Sequence, residues 1–264
     1  MHAKRLTLTF FLAGCFVSPA EQPVSVVASQ QLRQPIPQLE LDLQGQGTAL
    51  VFIGGLGDEI SGIVPHMMAT MPPVSSQETR AYYHWHAGNP QQADRGAAAL
   101  AARIRAYRHR NSAADIVLIG HSMGAATAMK TAAALPPGEG RVFVVTLDPS
   151  DRSYAPVRPP SVSWWGNAYV VNSRSAHDYI AVWGGRWNAC KQADTNLRFD
   201  GRLRDESGYF YIHDNALSLM CSRGRGRHAS LYDEICRRLR TESAPSREDD
   251  TSRQQLPGER ADTK

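Results

Sequence analysis

Short, continuous apolar runs recur along the middle of the chain, separated by stretches with helical spacing. Ala49–Ile53, Asp115–Ile119 and Arg141–Leu147 carry no polar alternation, their only polar residues being Asp115, Arg141 and Thr146. That is the pattern of strands buried on both faces rather than on one. Arg80-Ala81-Tyr82-Tyr83-His84-Trp85, Asn167–Val171 and Tyr209–Ile212 are predicted as further strands, the last of them closing the series. Between the runs, Gln91–Arg110 places Ala97, Leu100, Ala101, Ile104 and Tyr107 on one face of an amphipathic helix. Ala125–Ala134 is an Ala-rich helix, and helical stretches follow at about 214–221 and 229–240. Strands alternating with helices predict an α/β fold, with a mostly parallel central sheet covered by helices on both faces. Reactive groups in such sheets lie beyond the carboxyl ends of the strands.

The pattern stops at either end of the chain. Thr241–Lys264 is charged and polar, with almost no large apolar residue, and is expected to be disordered. Ser18–Gln38 is rich in Pro, Gln, Ser and Val without periodicity. Before it, Lys4 and Arg5 precede a short apolar stretch from Leu6 to Gly14, the arrangement of an export signal. Leu12-Ala13-Gly14-Cys15 resembles the lipobox of bacterial lipoproteins. The resemblance implies cleavage before Cys15 and lipidation of its thiol, with Phe16 pointing to the outer membrane if the host is Gram-negative. A plain secretory signal cleaved near Ala20 is the alternative. The expected division is a signal at 1–14, a tether at 15–38, one domain at 39–240 and a tail at 241–264.

The chain has 264 residues, enough for one sizeable core. Its formal net charge of +4 is weak and scattered, which argues against nucleic acid as a partner. Cys190, Cys221 and Cys236 match no zinc spacing, and two of them can pair in an oxidising compartment. His84 and His86 share a strand face, where packing is the simpler reading than a metal site.

The chemistry starts at Gly120-His121-Ser122-Met123-Gly124. A buried strand leads into this G-x-S-x-G and a helix leads out, the setting of a nucleophile elbow with Ser122 at its tip. A serine hydroxyl needs a base, a group to orient that base, and donors for the oxyanion. The acid candidate is Asp148, in Leu147-Asp148-Pro149 at the end of the next strand. Asp178 is the alternative, and Asp151 a weaker one. The base candidate is His213, at the end of the last predicted strand and before a helix; His177 lies on the other plausible loop. The side chain of His121 is expected to point away from the nucleophile. Backbone N–H groups of Leu56, in Gly54-Gly55-Leu56-Gly57-Asp58, and of Met123 are the expected oxyanion donors.

From Ala49 to about Met220 these features resemble the α/β-hydrolase superfamily in a reduced form, the lipase and esterase branch most closely. The Leu-Asp-Pro segment is similar to that of pancreatic-type lipases, and Gly54 stands where the family's loop usually carries a histidine. The stretch Gly184-Gly185-Arg186-Trp187-Asn188, then Ala193–Asn196, resembles the approach to the catalytic histidine in some bacterial lipase-like hydrolases. The resemblance implies a serine hydrolase of hydrophobic or lipid-like esters, working through an acyl-enzyme and needing no metal or cofactor. Thioesters, peptidase activity and acyl transfer stay open, since the same triad serves them. Core packing is the commoner use of large aromatics, and an apolar acyl pocket lined by Trp164, Trp165, Trp183 and Trp187 is the functional alternative. A reading from another class is a non-catalytic envelope lipoprotein that uses the hydrolase fold for binding.

Overall fold

The computed structural model describes residues 43–83, 90–112, 114–173, 175–227 and 229–241. The expected signal, lipidated Cys15, the tether and the tail lie outside the described residues, as do His84 and His86. Six strands form one sheet: β1 Thr48–Ile53, β2 Glu78–Tyr83, β3 Ile116–His121, β4 Val142–Leu147, β5 Trp164–Val171 and β6 Thr195–Asp200. Their order is β2-β1-β3-β4-β5-β6, and every pairing is parallel. The helices are α1 Asp58–Ser61, α2 Ile63–Thr70, α3 Pro90–Arg110, α4 Met123–Ala133, α5 Ala176–Trp183, α6 Ala216–Cys221 and α7 Leu231–Thr241.

Continuous apolar strands yield two cores, because successive side chains point to opposite faces. Ala49, Val51 and Ile53 of β1, with Ile116 and Leu118 of β3, pack under α3 and α4. Leu50 and Phe52, with Val117 and Ile119, pack under α2, α6 and α7 through Val64, Met67, Leu219 and Ile235. Burying a side chain such as Leu118 contributes ~1.5–3 kcal/mol. Truncating it to alanine would cost ~2–5 kcal/mol, because a cavity is left behind.

The strand order reverses at β1. Its chain successor β2 lies on one side, and β3 lies on the other. A crevice opens beyond the strand ends at such a switch point. The register pairs Ile53 with Gly120, so the loop after β1 meets the turn after β3 there.

One expectation needs correction. Tyr209–Ile212 is not a strand; among the described residues its sheet-like contact is an isolated antiparallel bridge between Arg204 and Phe210. The sixth strand is Thr195–Asp200, an edge strand in which only Leu197 and Phe199 are buried. The face that carries Asn196, Arg198 and Asp200 is not fully covered, so its sequence, TNLRFD, lacks the continuous apolarity used to recognise the others. Trp164 and Trp165 do not wall a pocket. They open β5 and are fully buried on opposite faces of the sheet. Trp187 stacks on Tyr154, with ring centroids 5.6 Å apart, while Trp183 is exposed. The four tryptophans therefore do not converge. Cys190, Cys221 and Cys236 are free thiols.

Candidate active site

The elbow after β3 is forced by its glycines. A Cβ on Gly120 would lie 2.5 Å from the Gly124 carbonyl oxygen, and one on Gly124 would lie 2.3 Å from that of Ile53. Only hydrogen at both positions lets α4 turn back this closely over the sheet. Between them Ser122 takes φ 54° and ψ −126°, a conformation that costs on the order of 1–3 kcal/mol for a residue with a Cβ. Its N–H donates to the Leu147 carbonyl at 3.0 Å, which fixes the turn against the end of β4.

Leu147 is followed by Asp148, whose φ of 39° is also positive. Its N–H donates to the Ala168 carbonyl at 2.7 Å, and its Oδ1 accepts from the Val170 N–H at 3.0 Å. The carboxylate is thereby clamped to β5 with Oδ2 free to face the site. His213 lies in the loop between β6 and α6. Asn215 caps α6 by accepting from the Ser218 N–H at 3.3 Å, and its own N–H donates to the Ile212 carbonyl at 3.0 Å.

The structure brings Ser122, His213 and Asp148 together. His213 Nδ1 donates to Asp148 Oδ2 at 2.7 Å, and the Ser122 hydroxyl is 3.0 Å from His213 Nε2. All three are buried. Burial alone would raise the Asp148 carboxyl; the hydrogen bond and charge of His213, then the Arg186 guanidinium, carry it below the usual carboxylate range. An ionised Asp148 keeps the proton of a neutral imidazole on Nδ1 and leaves Nε2 free to accept.

Asp178 does not reach His213. It sits in the first turn of α5, where its Oδ1 takes a bond from Arg186 Nη2 at 2.5 Å and its Oδ2 accepts from the Ser173 hydroxyl. Asp151 turns to Ser153 instead, and His177 lies within α5 rather than in a loop.

The loop after β1 presses on the elbow. A Cβ on Gly55 would sit 2.7 Å from Ser122 Cβ and 3.2 Å from the Met123 nitrogen, which brings the Leu56 peptide alongside. Among the described residues, neither the Leu56 N–H nor the Met123 N–H donates to another protein group. Asp58 braces this loop from inside. Its Oδ2 accepts from the Tyr82 hydroxyl at 2.6 Å and its Oδ1 from the Val64 N–H at 3.1 Å. Burial holds the Asp58 carboxyl above its ordinary value, partly offset by the Tyr82 bond. A Cβ on Gly54 would lie 2.2 Å from Asp58 Oδ2, so glycine leaves room for this brace where the family's loop usually carries a histidine.

Three neighbours escaped the sequence reading. The Ser150 hydroxyl lies 3.2 Å from Ser122 Oγ. With the Ser122 proton directed to His213, Ser150 is the donor of that pair. The His121 side chain turns to His213. Its Nε2 donates to the His213 backbone carbonyl at 2.7 Å, and the two rings lie 4.7 Å apart. Burial first, then the nearby His213, lowers His121 to about 4, so its ring is neutral. Arg186 Nη2 contacts Asp148 Oδ2 at 2.7 Å. Only its Gly-Gly-Arg context hinted at a role. Among the described residues, no group of three His, Cys, Asp or Glu is placed to hold a metal ion.

An all-parallel sheet with a serine elbow, an acid after β4 and a histidine after β6 defines a class of protein, the α/β hydrolases. The model of the alpha/beta hydrolase family matches residues 10–251, and the chain belongs to that family. Among solved structures, a presumed cell surface hydrolase from Lactobacillus plantarum WCFS1 is similar, at 8% identity and a TM-score of 0.40. That match covers 64% of this chain and 87% of the other. No curated protein matches the sequence.

Proposed function

We propose that the protein is a serine hydrolase that cleaves carboxylic esters through an acyl-enzyme. The observation that carries this reading is the single line of bonds from Asp148 through His213 to Ser122. As the Ser122 oxygen attacks the ester carbonyl, His213 Nε2 takes its proton and Asp148 stabilises the imidazolium. The N–H groups of Leu56 and Met123 receive the tetrahedral oxyanion, and Ser150 donates to the nucleophile oxygen beforehand. His213 then returns the proton to the departing alcohol. Water repeats the sequence on the acyl-enzyme and frees the acid.

Support for a hydrophobic substrate class comes from exposed apolar side chains. The large apolar side chains left exposed among the described residues are Leu56 and Ile60 after β1, Val157 after β4, four on α5 including Trp183, and Leu203, Tyr209 and Phe210 after β6. Leu56 adjoins the elbow, and Tyr209 and Phe210 lead into His213. Scattered exposed apolar residues need no explanation, but those that adjoin Ser122 and His213 favour hydrophobic or lipid-like esters. The lipobox-like Leu12–Cys15 favours an exported protein held on the envelope by lipidated Cys15, at the outer membrane in a Gram-negative host. Such a location would keep the enzyme near lipid.

A panel of p-nitrophenyl esters of rising acyl length tests the proposal. Hydrolysis is expected to rise with chain length and to fall by ~10⁴-fold or more in Ser122→Ala. Equal rates in that variant, or no hydrolysis at any length, would contradict it.

A further inference from the structure

The acid of the proposed triad is not alone with its histidine. One nitrogen, Arg186 Nη2, lies 2.7 Å from Asp148 Oδ2 and 2.5 Å from Asp178 Oδ1. The same Asp148 Oδ2 accepts the His213 Nδ1–H at 2.7 Å. Two 2.7 Å bonds to one oxygen put the guanidinium and imidazole nitrogens within about 5.4 Å of each other. A full positive charge so close opposes formation of a second one on the ring. Solvent screens it little, since the side chains of Arg186, Asp178 and Asp148 are only 9%, 5% and 0% exposed.

Counting charge shows what Asp178 adds. Asp148 and Arg186 cancel, and an imidazolium formed beside them would be uncompensated. Asp178 returns one negative charge to the cluster, so proton uptake by His213 ends at neutrality. The other titratable groups around the ring do not upset this count. His121, packed on it from β3, is neutral. Asp214, its chain neighbour, adds negative charge from a half-buried position and is common to every variant below.

We infer that Arg186 and Asp178 are positioning residues that set the electrostatic balance of the His213–Asp148 pair, with Asp178 as the counter-charge that lets His213 accept the serine proton. The inference rests on the serine-hydrolase reading. It explains why a second aspartate lies so near the site without touching the histidine, and why an arginine is buried between them. It also predicts a pH response that a purely structural ion pair would not give.

The test uses Asp178→Asn and the double variant Arg186→Met/Asp178→Asn. Asparagine keeps an oxygen for the Arg186 bond but removes the charge. At effective dielectrics between those of water and a protein interior, one charge at this range moves a titration by on the order of one pH unit. Asp178→Asn should lower kcat and move the acid limb of the kcat/KM profile to lower pH by about that much, with KM little changed. The double variant also removes the nearer positive charge, so it should carry the limb back to the wild-type position or past it to higher pH. The His213 ring resonance, assigned by its loss in His213→Gln, should titrate with the same displacements. That signal needs no turnover, so it still reads the charge balance if wild-type protein cleaves no ester. An acid limb and ring signal unmoved in Asp178→Asn, with only kcat reduced, would overturn the inference, as would a double variant displaced to lower pH as far as the single. If the double variant fails to fold, Asp178→Asn decides alone.

Discussion

His121 makes a quantitative claim about acid stability. Its ring is fully buried beside His213, and burial first, then that neighbour, lowers it from an ordinary 6.5 to about 4. As pH falls below 6.5 the unfolded chain takes up a proton at this position, while the folded chain resists until about 4. Stability is therefore whole above pH 6.5 and is lost progressively toward pH 4. That depression corresponds to ~3 kcal/mol, a large share of the ~5–15 kcal/mol that holds a domain folded. His121→Gln isolates the effect. The glutamine amide can still donate to the His213 carbonyl, which His121 Nε2 meets at 2.7 Å, but it does not titrate. Urea unfolding of both proteins at intervals from pH 7.5 to 4.2 reads the result, provided the m-value holds constant. Wild type should lose about 3 kcal/mol more than the variant across that range. The depressed Asp148 loses its contribution only as pH falls below the ordinary 3.8, beneath the window. Parallel curves for the two proteins would refute the reasoning, because the buried imidazole would then not resist its proton.

Two further outcomes test the loop after β1. Gly55→Ala places a methyl 2.7 Å from Ser122 Cβ, so the loop must retreat from the elbow; kcat should fall by ~100-fold with stability nearly kept, and an unaffected kcat would remove Leu56 from the oxyanion role. Tyr82→Phe takes the 2.6 Å donor from buried Asp58 and should cost ~1–3 kcal/mol by thermal unfolding, whereas an unchanged Tm would mean that the brace contributes nothing.

How far the sequence reached depended on whether a feature was carried by apolar continuity or by tertiary contact. β1, β3 and β4 are buried on both faces, and their runs announced them. β6 is an edge strand with polar alternate positions, so Thr195–Asp200 lacks the apolar signal of a strand, whereas the aromatic run Tyr209–Ile212 carries one without forming a strand. Ser122 was legible because an elbow demands glycines at fixed offsets. His213 and Asp148 were reachable from chain order and from the Pro149 that stops a strand. Ser150, His121 and Arg186 were not, because their roles depend on which loops the sheet order places side by side. Asp178 shows the limit clearly: sequence brought it near the site, but only the intervening Arg186 separates a counter-charge from a triad acid.

The most direct test of the account is labelling with a fluorophosphonate, read by intact mass and peptide mapping. A hydroxyl that can pass its proton to His213 should take one adduct per chain, on Ser122, with none in Ser122→Ala or His213→Gln. No adduct on wild-type protein, or an adduct on Ser150 or elsewhere that persists in Ser122→Ala, would contradict the account.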